Sequence, residues 1–422
     1  MEYSGGVLKV RSLRHFTSLD DLILSYTVEQ DGRVIESDTL GAVNVGPGAV
    51  GEYALFPADR SFAPLTTLNL RMTQRRATPW AEAGYEVGSC QFILSDKYEG
   101  RILPTEADRV EFAEGIKYYG ADLDDEGDHY RVTLTNGSVR ISKITGLVDS
   151  IVFNGRENLT RPMTPTLWRA PTDNDRIIRK AWESQGLNRL ETALRDITAE
   201  LFTDRARITA EMTLAAKSLA PACRLRVVYE IGNRAGLTVT TSAVVADDIT
   251  YLPRFGYQLT LPQGSEDIRY LGYGPYESYE DKRRASSLSL FRTTATENFE
   301  HYVRPQENSA HVGCRFVDVL STAGRGLRVT APLFSFNASH FSPEYLTTVA
   351  HDYELTPQRE TTLNVDYRNS PVGSESCGPA LSPDLRIDEK AFTFTFNVNE
   401  SYSSREARCD AQIENGKLKV EN

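Results

Sequence analysis

The sequence predicts an all-β protein in which a small β-sandwich is followed by a larger antiparallel one. Apolar and polar residues alternate in many short runs, and strict alternation is typical of antiparallel strands with one buried and one solvated face. Turn dipeptides such as Asp31-Gly32 and Asn154-Gly155 follow such runs, as they do in β-hairpins. A length of 422 residues exceeds what a single hydrophobic core usually supports, so we expect at least two domains.

Residues 1–100 are predicted to form the small sandwich. Alternating runs recur through residues 4–96 at the spacing expected of a sandwich of about 100 residues. Residues 101–128 show little periodicity and end in a dense acidic run, so we interpret them as a connector, part of which can pair as a strand. The alternating apolar positions before the connector include Leu22, Leu24, Tyr26, Val28, Leu68, Leu70 and Met72.

Residues 129–400 are predicted to form the large sandwich, because alternation persists over this stretch with few helical interruptions. An Asn136-Gly137 hairpin signal lies near its start. Residues 401–422 are mostly polar and are interpreted as a C-terminal tail. The clearest alternating positions are Ile208, Ala210, Met212, Leu214, Phe392, Phe394, Phe396 and Val398.

Two segments favour helices. Ser342 followed by Pro343 is a typical helix start, with an N-cap hydroxyl and proline in the first turn. A second helix is predicted over residues 181–197, although Gly186 weakens it. The residues expected on one face of the first helix are Leu346, Val349, Ala350 and Tyr353, and those of the second are Leu187, Leu190 and Leu194.

Composition excludes several classes of partner. Acidic residues outnumber basic ones by 58 to 47, a net charge of −11, which argues against a nucleic-acid partner. No stretch approaches the ~18 consecutive apolar residues of a membrane helix, and no signal peptide is visible. The five cysteines are few, odd in number and without C-x-x-C spacing, which disfavours a zinc site or a disulfide scaffold. We therefore expect a cytoplasmic location and no membrane partner.

The first loop that could carry chemistry spans residues 167–176. The consecutive Asp173, Asn174 and Asp175 can bind a cation or accept hydrogen bonds from sugar hydroxyls. The alternative is a side-chain-capped turn in which Arg169 pairs with a carboxylate. From the residues alone we favour the structural alternative.

A second loop, residues 271–283, combines a Gly-Pro turn with aromatic and acidic residues that can line a sugar cleft. Its structural alternative is a folded-back loop in which Glu277 or Asp281 pairs with Arg283. Residues 302–308 contain an acid-amide pair beside a proline turn, which is usually structural. Residues 372–379 form a glycine-rich loop around Cys377; no histidine lies nearby in sequence, so a thiol nucleophile is disfavoured.

Taken in order, these loops resemble the signatures of one family. Residues 168–175, WRAPTDND, are similar to (F/W)-R-A-P-x-D-N-D, and residues 272–281, GYGPYESYED, resemble G-x-G-P-x-E-x-Y-x-D. Residues 305–308, PQEN, resemble P-x-E-N, and residues 77–85, ATPWAEAGY, resemble A-x-x-W-x-x-x-G-(H/Y). The resemblance is to the C-terminal portion of a lacZ-type β-galactosidase of glycoside hydrolase family 2, and it covers residues 2–400.

The resemblance implies a fold and a location for the catalytic residues. The expected fold is an immunoglobulin-like β-sandwich followed by a galactose-mutarotase-like supersandwich. The family hydrolyses terminal β-D-galactosides such as lactose by a retaining mechanism, with both catalytic glutamates and the magnesium ligands in a barrel domain that this chain does not match. We therefore expect no catalytic residue, no metal site and no cofactor in this chain, and no hydrolysis by the isolated chain.

The resemblance also implies sugar contacts and partners. A loop near the end of the family's last domain supplies a side chain to the sugar subsites, often a tryptophan, and Cys377 takes that position here. Expected partners are the β-galactoside, the barrel-bearing part of the enzyme and a possible second copy. Alternatives are a stand-alone carbohydrate-binding module and a mutarotase-type epimerase, which needs a histidine and a carboxylate at the sugar ring. The expected substrate-binding residues are Cys377, Ser376, Glu375, Asp173 and Asn174.

Overall fold

A computed structural model of the chain describes residues 1–96, 120–233, 235–373 and 378–403. It divides into unit 1, which is Met1–Gly100 with Leu271–Pro275 and Ser286–Leu290, and unit 2, which is the remainder. Strands dominate the described residues, which contain two short α-helices. The all-β prediction is confirmed. None of the helices described here has the length and hydropathy needed to cross a membrane.

Unit 1 contains two antiparallel sheets that share a core. One sheet has the order β4-β3-β6-β7 and the other β1-β2-β5. Leu8 and Val10 of the second sheet pack with Leu24 and Leu70 of the first, so the predicted small sandwich is confirmed. The strands are β1 Glu2–Ser4, β2 Val7–Arg11, β3 Leu22–Gln30, β4 Arg33–Ala42, β5 Val50–Ala54, β6 Thr66–Gln74 and β7 Glu86–Ser95.

The other seventeen described strands follow in chain order. They are β8 Asp122–Asp125, β9 His129–Leu134, β10 Gly137–Ser142, β11 Val148–Phe153, β12 Arg156–Glu157, β13 Arg161–Thr166, β14 Glu191–Leu201, β15 Ala206–Ala215, β16 Cys223–Gly232, β17 Gly236–Val245, β18 Arg254–Leu261, β19 Ser265–Gly274, β20 Ser287–Thr294, β21 His311–Ser321, β22 Arg325–Ser339, β23 Thr361–Asn369 and β24 Ala391–Tyr402. The acidic run placed in the predicted connector thus contains β8, which pairs with β9.

Unit 2 is built on a five-stranded and a twelve-stranded sheet. The smaller sheet has the order β12-β11-β10-β9-β8, and the longer path of the larger one is β13-β18-β23-β22-β24-β17-β16-β15-β14. Pairings along both paths are antiparallel. Val132 and Val139 of the smaller sheet share one core with Val227 and Tyr229 of the larger. The predicted large antiparallel sandwich is therefore confirmed.

The hairpin predictions hold in two of three places. Asp31-Gly32 and Asn154-Gly155 have positive φ angles, 51° and 72° for the first pair and 47° and 74° for the second, as a two-residue hairpin requires. At the third, Gly137 pairs with Leu134, so the turn lies one residue earlier than predicted. Gly137 belongs to β10 because it pairs with Leu134 and Phe153, and glycine is needed there because a side chain would collide with the carbonyl of Val152.

The helix predicted over residues 181–197 is wrong. The helix α1, Ile178–Ser184, ends before Gly186, whose φ is +77°, and residues 191–201 form β14. A β-bulge between Leu194 and Asp196 brings Leu194 and Ile197, three residues apart, into contact with the same core. The predicted face itself spans several elements, because Leu187 lies in a 3₁₀ turn, Leu190 is extended and Leu194 lies in β14.

The second helix, α2 Pro343–Thr348, is shorter than predicted. The Ser342 hydroxyl accepts a hydrogen bond from the Tyr345 N–H at 3.2 Å, which confirms the N-cap. Val349 is already extended, so the predicted face does not continue to Tyr353. Two threonines followed by Val349 make a β-branched run, which disfavours helix because branching at Cβ restricts the side chain.

Candidate functional site

Arg169 lies where the polar loops of unit 2 meet. Its guanidinium is fully buried, and a buried charge requires hydrogen-bond acceptors. One terminal nitrogen donates to the Asn369 side-chain oxygen at 2.9 Å and to the Ser370 carbonyl. The other donates to the Pro371 carbonyl at 3.2 Å and to Asp175 Oδ1 at 2.8 Å. Arg169 thus pairs with a carboxylate, as the structural interpretation of its loop predicts, and also binds the backbone after β23.

Two more signature side chains bind the next residues of the same backbone. Asn174 Nδ2 donates to the Val372 carbonyl at 2.6 Å. The Asp281 carboxylate accepts hydrogen bonds from the Val372 N–H at 3.4 Å and the Gly373 N–H at 2.8 Å. A Cβ at Gly373 would lie 2.6 Å from Asp281 Oδ2, so a side chain there would displace the carboxylate. We call Ser370–Gly373 the anchored segment.

The anchored segment has protein partners at both of its ends. The Ser370 N–H donates to the Pro253 carbonyl at 2.9 Å, and its hydroxyl donates to the Leu252 carbonyl at 2.6 Å. Its carbonyls are bound by Arg169 and Asn174, and its last two N–H groups by Asp281. The three signature side chains, which come from two separate loops, therefore converge on four residues of irregular backbone.

Asp175 holds the turn that presents Arg169 and Asn174. Its Oδ2 accepts a hydrogen bond from the Thr172 N–H at 2.8 Å, while Oδ1 accepts from Arg169. The Asp175 N–H in turn donates to the Thr172 carbonyl at 3.0 Å, which closes the start of the 3₁₀ turn Asp173–Arg176. Both carboxylate oxygens of Asp175 are thus occupied inside the protein, which leaves it unsuited to the cation role considered from the sequence.

Below the anchored segment lies a buried ionic group around Glu307. Its Oε1 accepts hydrogen bonds from Arg254 Nη2 at 2.9 Å, from the Asn369 amide at 3.0 Å and from the Asn337 amide at 3.2 Å. Arg254 also lies 3.1 Å from Asp366 Oδ2. Asn369 connects this group to Arg169, so one continuous network of polar side chains supports the site.

The network contains more carboxylates than guanidinium groups. Burial raises the pKa of Glu307, opposed by the positive charges of Arg254 and Arg169. Burial also raises the pKa of Asp366 to about 7, with Arg254 opposing the rise and the charge of Glu307 adding to it. With Asp175, three carboxylates face two guanidinium groups, so one proton on Asp366 makes the buried network electrically neutral.

Glu277 closes the second signature loop. Its Oε2 accepts a hydrogen bond from the Ser309 N–H at 2.8 Å, and its Oε1 accepts from Lys282 and from the Tyr302 hydroxyl. The loop is folded back as its structural alternative predicts, but the basic partner of Glu277 is Lys282. The prediction of Arg283 as that partner is wrong, because Arg283 approaches Glu280 instead, at 3.8 Å.

Asp173 differs from its two neighbours because its side chain remains 70% exposed. Its N–H donates to Gln306 Oε1 at 3.1 Å, and its carboxylate lies 3.8 Å from Arg304. Asp173 is therefore available to an external ligand beside the anchored segment. Within the described ranges, no three His, Cys, Asp or Glu side chains are grouped so that they could hold a metal ion.

Three of the predicted substrate-binding residues, Cys377, Ser376 and Glu375, lie outside the described residues. The other two, Asp173 and Asn174, lie together beside the anchored segment. The side-chain amide of Asn174 donates a hydrogen bond to that segment. Assignment of all five to a sugar remains a prediction.

The histidine–carboxylate pairs bear on the epimerase alternative. His340 has Glu266 Oε2 at 2.7 Å from one ring nitrogen and the Glu360 carbonyl at 3.0 Å from the other. His129 lies between Asp128 and Asp149, at 2.7 Å and 2.6 Å. Both nitrogens of these two rings are occupied, whereas His301 pairs with Asp352 through Nδ1 alone, at 2.9 Å. His301 is thus the histidine on which the epimerase alternative depends.

Three residues of the network, Arg254, Asp366 and Asn337, were not predicted from the sequence. The sequence feature that could have identified them is a polar residue within an otherwise apolar strand. Such a residue needs a hydrogen-bond partner when it is buried. Asp366 follows Val365 on β23, most of which is buried on both faces, so no alternation marks its environment. Their roles become visible only when β18, β22 and β23 are placed side by side.

Comparisons with known proteins match both units. The profile described as β-galactosidase small chain matches residues 133–398, and the profile described as β-galactosidase, domain 4, matches residues 8–95. A β-galactosidase of Actinobacillus pleuropneumoniae is 31% identical over 91% of this chain, and one of Staphylococcus xylosus is 32% identical over 61%. A third, of Priestia megaterium, is 27% identical over 93% of the chain.

The chain spans only part of these relatives: 37% of the Actinobacillus and Priestia proteins and 26% of the Staphylococcus protein. Among solved structures, a galactose 1-epimerase from Lactobacillus acidophilus NCFM aligns with 68% of this chain and 100% of its own, at 11% identity and a TM-score of 0.36. That similarity is too weak to assign fold or activity. The two matched profiles and the curated relatives lead to one conclusion: the chain belongs to the lacZ-type β-galactosidase family, of which it carries domain 4 and the small chain.

Proposed function

We propose that the chain is the non-barrel part of a β-galactosidase that hydrolyses terminal β-D-galactosides, lactose among them, by a retaining mechanism. In this proposal the chain completes the sugar subsites and the assembly, and the catalytic glutamates and the magnesium belong to a barrel-bearing part outside it. The enzyme works in the cytoplasm as a member of glycoside hydrolase family 2.

The observation that carries the proposal is the convergence of Arg169, Asn174 and Asp281 on the anchored segment. Burying the Arg169 charge to fix irregular backbone is costly, and such fixed loops commonly present binding residues. The anchored segment leads directly into residues 374–377, where the resemblance places the sugar contact. Exposed Asp173 adds an acceptor for sugar hydroxyls on the same side.

The carboxylates of the site support a binding role over a catalytic one. Retaining hydrolysis needs two carboxyl groups about 5 Å apart, both of which reach the substrate. Glu307 and Asp366 are 4% and 0% exposed and are held by Arg254, and Glu277 is occupied by Lys282 and Tyr302. None of these three can approach a glycosidic bond without leaving its partners.

The test is complementation with a defined partner. The barrel-bearing part of the Actinobacillus pleuropneumoniae relative, meaning the part that this chain does not match, is mixed with the full chain, and hydrolysis of o-nitrophenyl β-D-galactoside is measured. We expect no turnover from either component alone and turnover from the mixture. Turnover by the purified chain alone, or none by a mixture that forms a complex, would contradict the proposal.

A matched pair of variants connects turnover to the anchored segment. Asp281→Ala removes the acceptor of two backbone N–H groups, and we expect the mixture to show a raised KM with this variant. Asp267→Ala removes only a surface pair with Arg292 and should leave KM unchanged. Sugar binding by the chain alone, with no rescue of the barrel part, would favour the carbohydrate-binding module instead.

A further inference from the structure

One end of the small sandwich in unit 1 exposes large apolar side chains. Leu22 at the start of β3 pairs with Gln74 at the end of β6, so residues 12–21 and 75–85 leave the sheet at the same end. The Arg75 N–H donates to the Asp21 carbonyl at 2.8 Å, which joins the two loops. We call these two loops the aromatic end. Its exposed side chains are Leu13 at 82%, Phe16 at 94%, Trp80 at 66% and Tyr85 at 55%.

The loop that carries Trp80 is held by its own hydrogen bonds. The Thr78 N–H donates to the Ala81 carbonyl at 2.8 Å, and the Ala81 N–H donates to the Thr78 hydroxyl at 3.2 Å. The rings of Trp80 and Tyr85 meet edge to face with centroids 5.6 Å apart. The pair is therefore pre-organised, and a partner that binds it loses little conformational entropy.

The exposure of Trp80 has no explanation within unit 1. The core of this unit is formed by other side chains, and Trp80 is not part of it. The two remaining tryptophans of the chain, Trp168 and Trp182, are buried. Grouped exposed apolar side chains usually mark an interaction surface, and tryptophan and tyrosine are enriched at the centres of protein interfaces.

The charges near the aromatic end favour a protein partner over a polyanion. The Arg14 guanidinium is bound to Asp21 at 2.6 Å and 3.1 Å and to the Ser18 carbonyl at 2.6 Å, so its charge is neutralised within the loop. The two loops also carry Arg75 and Arg76 against Asp20 and Glu82, so basic and acidic residues are equal in number. A surface with large apolar groups and no net charge is complementary to an apolar protein surface.

We propose that the aromatic end binds the barrel-bearing part of the β-galactosidase, with Trp80 and Tyr85 as its central contacts. The inference rests on the proposed function and names the surface that it uses. The chain covers 37% of the length of its Actinobacillus relative, so most of that enzyme is available to cover this end. The motif around Trp80 has no part in the network that surrounds the anchored segment.

Fluorine labelling tests the contact directly. Incorporation of 5-fluorotryptophan gives this chain three fluorine signals, one for each tryptophan, and Trp80→Phe identifies the signal of Trp80. In the free chain that signal should respond to the exchange of H₂O for D₂O, because Trp80 is exposed. On addition of the unlabelled barrel-bearing part of the Actinobacillus relative, we expect the signal to shift and to lose this response.

Alanine variants test how much Trp80 and Tyr85 contribute to the binding affinity. Trp80→Ala and Tyr85→Ala should each weaken binding of the barrel-bearing part by roughly 30-fold, the effect of a central interface aromatic, while the thermal midpoint of the chain stays unchanged. At saturating concentrations of both parts, the kcat for o-nitrophenyl galactoside should match that of the wild type. The control Tyr353→Ala removes an aromatic side chain that is 83% exposed on unit 2, and should not weaken binding.

The outcomes separate the two proposals. If the complex forms and hydrolyses galactoside while Trp80 stays solvent-exposed and its alanine variant binds normally, the proposed function stands and the aromatic end is excluded as the interface. If no complex forms with the wild-type chain, both proposals fall. If the chain alone self-associates and Trp80→Ala abolishes this, the aromatic end binds a second copy and the inference is overturned.

Discussion

At the scale of single residues, the site depends on buried charges that hold backbone. Arg169 and Arg254 each have two roles: they neutralise carboxylates, and through Asn369 they join one network below the anchored segment. A buried ion pair contributes little to stability by itself, because desolvation offsets the attraction. The benefit is geometric, since Arg169 fixes the positions of the Ser370 and Pro371 carbonyls.

Asp281→Ala should loosen the anchored segment. Its carboxylate accepts from the N–H of Gly373 at 2.8 Å, and a hydrogen bond to a charged acceptor contributes about 1.5–3 kcal/mol. We therefore expect amide exchange of a peptide ending at Gly373 to accelerate by roughly tenfold or more at the affected sites, as followed by mass spectrometry. Asp267→Ala is the control, and equal exchange in both variants would show that Asp281 does not anchor this backbone.

Asp366 should make stability depend on pH. Its pKa is about 7 in the folded chain against an ordinary value of 3.8, so the folded chain binds more protons than the unfolded chain between these values. The free energy of unfolding therefore falls as pH rises from about 4 to 7. Asp366→Asn removes this contribution, and we expect the fall to shrink by about 1–3 kcal/mol.

Urea denaturation at pH 5 and pH 7.5 measures this difference. Asp267→Asn, on the surface, serves as the control and should follow the wild type. An Asp366→Asn protein that loses as much stability as the wild type between the two pH values would show that this carboxyl is ionised throughout.

At the scale of elements, alternation predicts a strand when one face is wet and the strand itself contains no bulged residue. β3, β6, β15 and β24 meet both conditions and coincide with predicted runs. β14 fails the second condition because its bulge shifts the register by one residue, and β23 fails the first because it is buried on both faces for most of its length. In both cases it is the neighbouring strands, and not the local sequence, that set the pattern of burial.

The seam between β17 and β24 provides a quantitative test of that packing. Phe396 is 1% exposed, and its ring centroid lies 5.3 Å from those of Tyr257 and Phe394. Phe396→Ala should lower the free energy of unfolding by about 3–5 kcal/mol through lost burial and a cavity. Thr395→Ala, next in sequence on the exposed face, should change it by no more than about 0.5 kcal/mol in a urea titration. Similar effects of both variants would contradict the assigned faces.

At the scale of the whole molecule, the two units match two successive parts of a longer enzyme. Asp173 and Asn174 were predicted from the sequence as members of the site, because their oxygens can accept hydrogen bonds from sugar hydroxyls and their loop resembles a family signature. Arg254 and Asp366 were not predicted, because their partners come from β18, β23 and the loop of Glu307. Sugar chemistry in the proposed assembly then depends on groups outside this chain.

In the assembled enzyme, Cys377→Trp should strengthen binding of the second sugar. The resemblance places an aromatic ring at this position in many relatives, and an aromatic face contributes ~1 kcal/mol or more beyond simple burial. We expect the KM for lactose to fall about fivefold with little change for o-nitrophenyl galactoside. Cys377→Ser, which adds no apolar face, is the control. An unchanged lactose KM for Cys377→Trp would reject stacking at this position.

The sequence by itself determined that the chain is all-β, where most strands run, and which loops contain residues that strands do not need. Those conclusions depend on periodicity and on turn chemistry, which are local properties of the chain. Only the tertiary structure decided that Arg169 would bind the Ser370 carbonyl and Asp281 the Gly373 N–H. Hydrogen bonds form between atoms about 3 Å apart in space, and the fold alone brings residues two hundred positions apart to that distance.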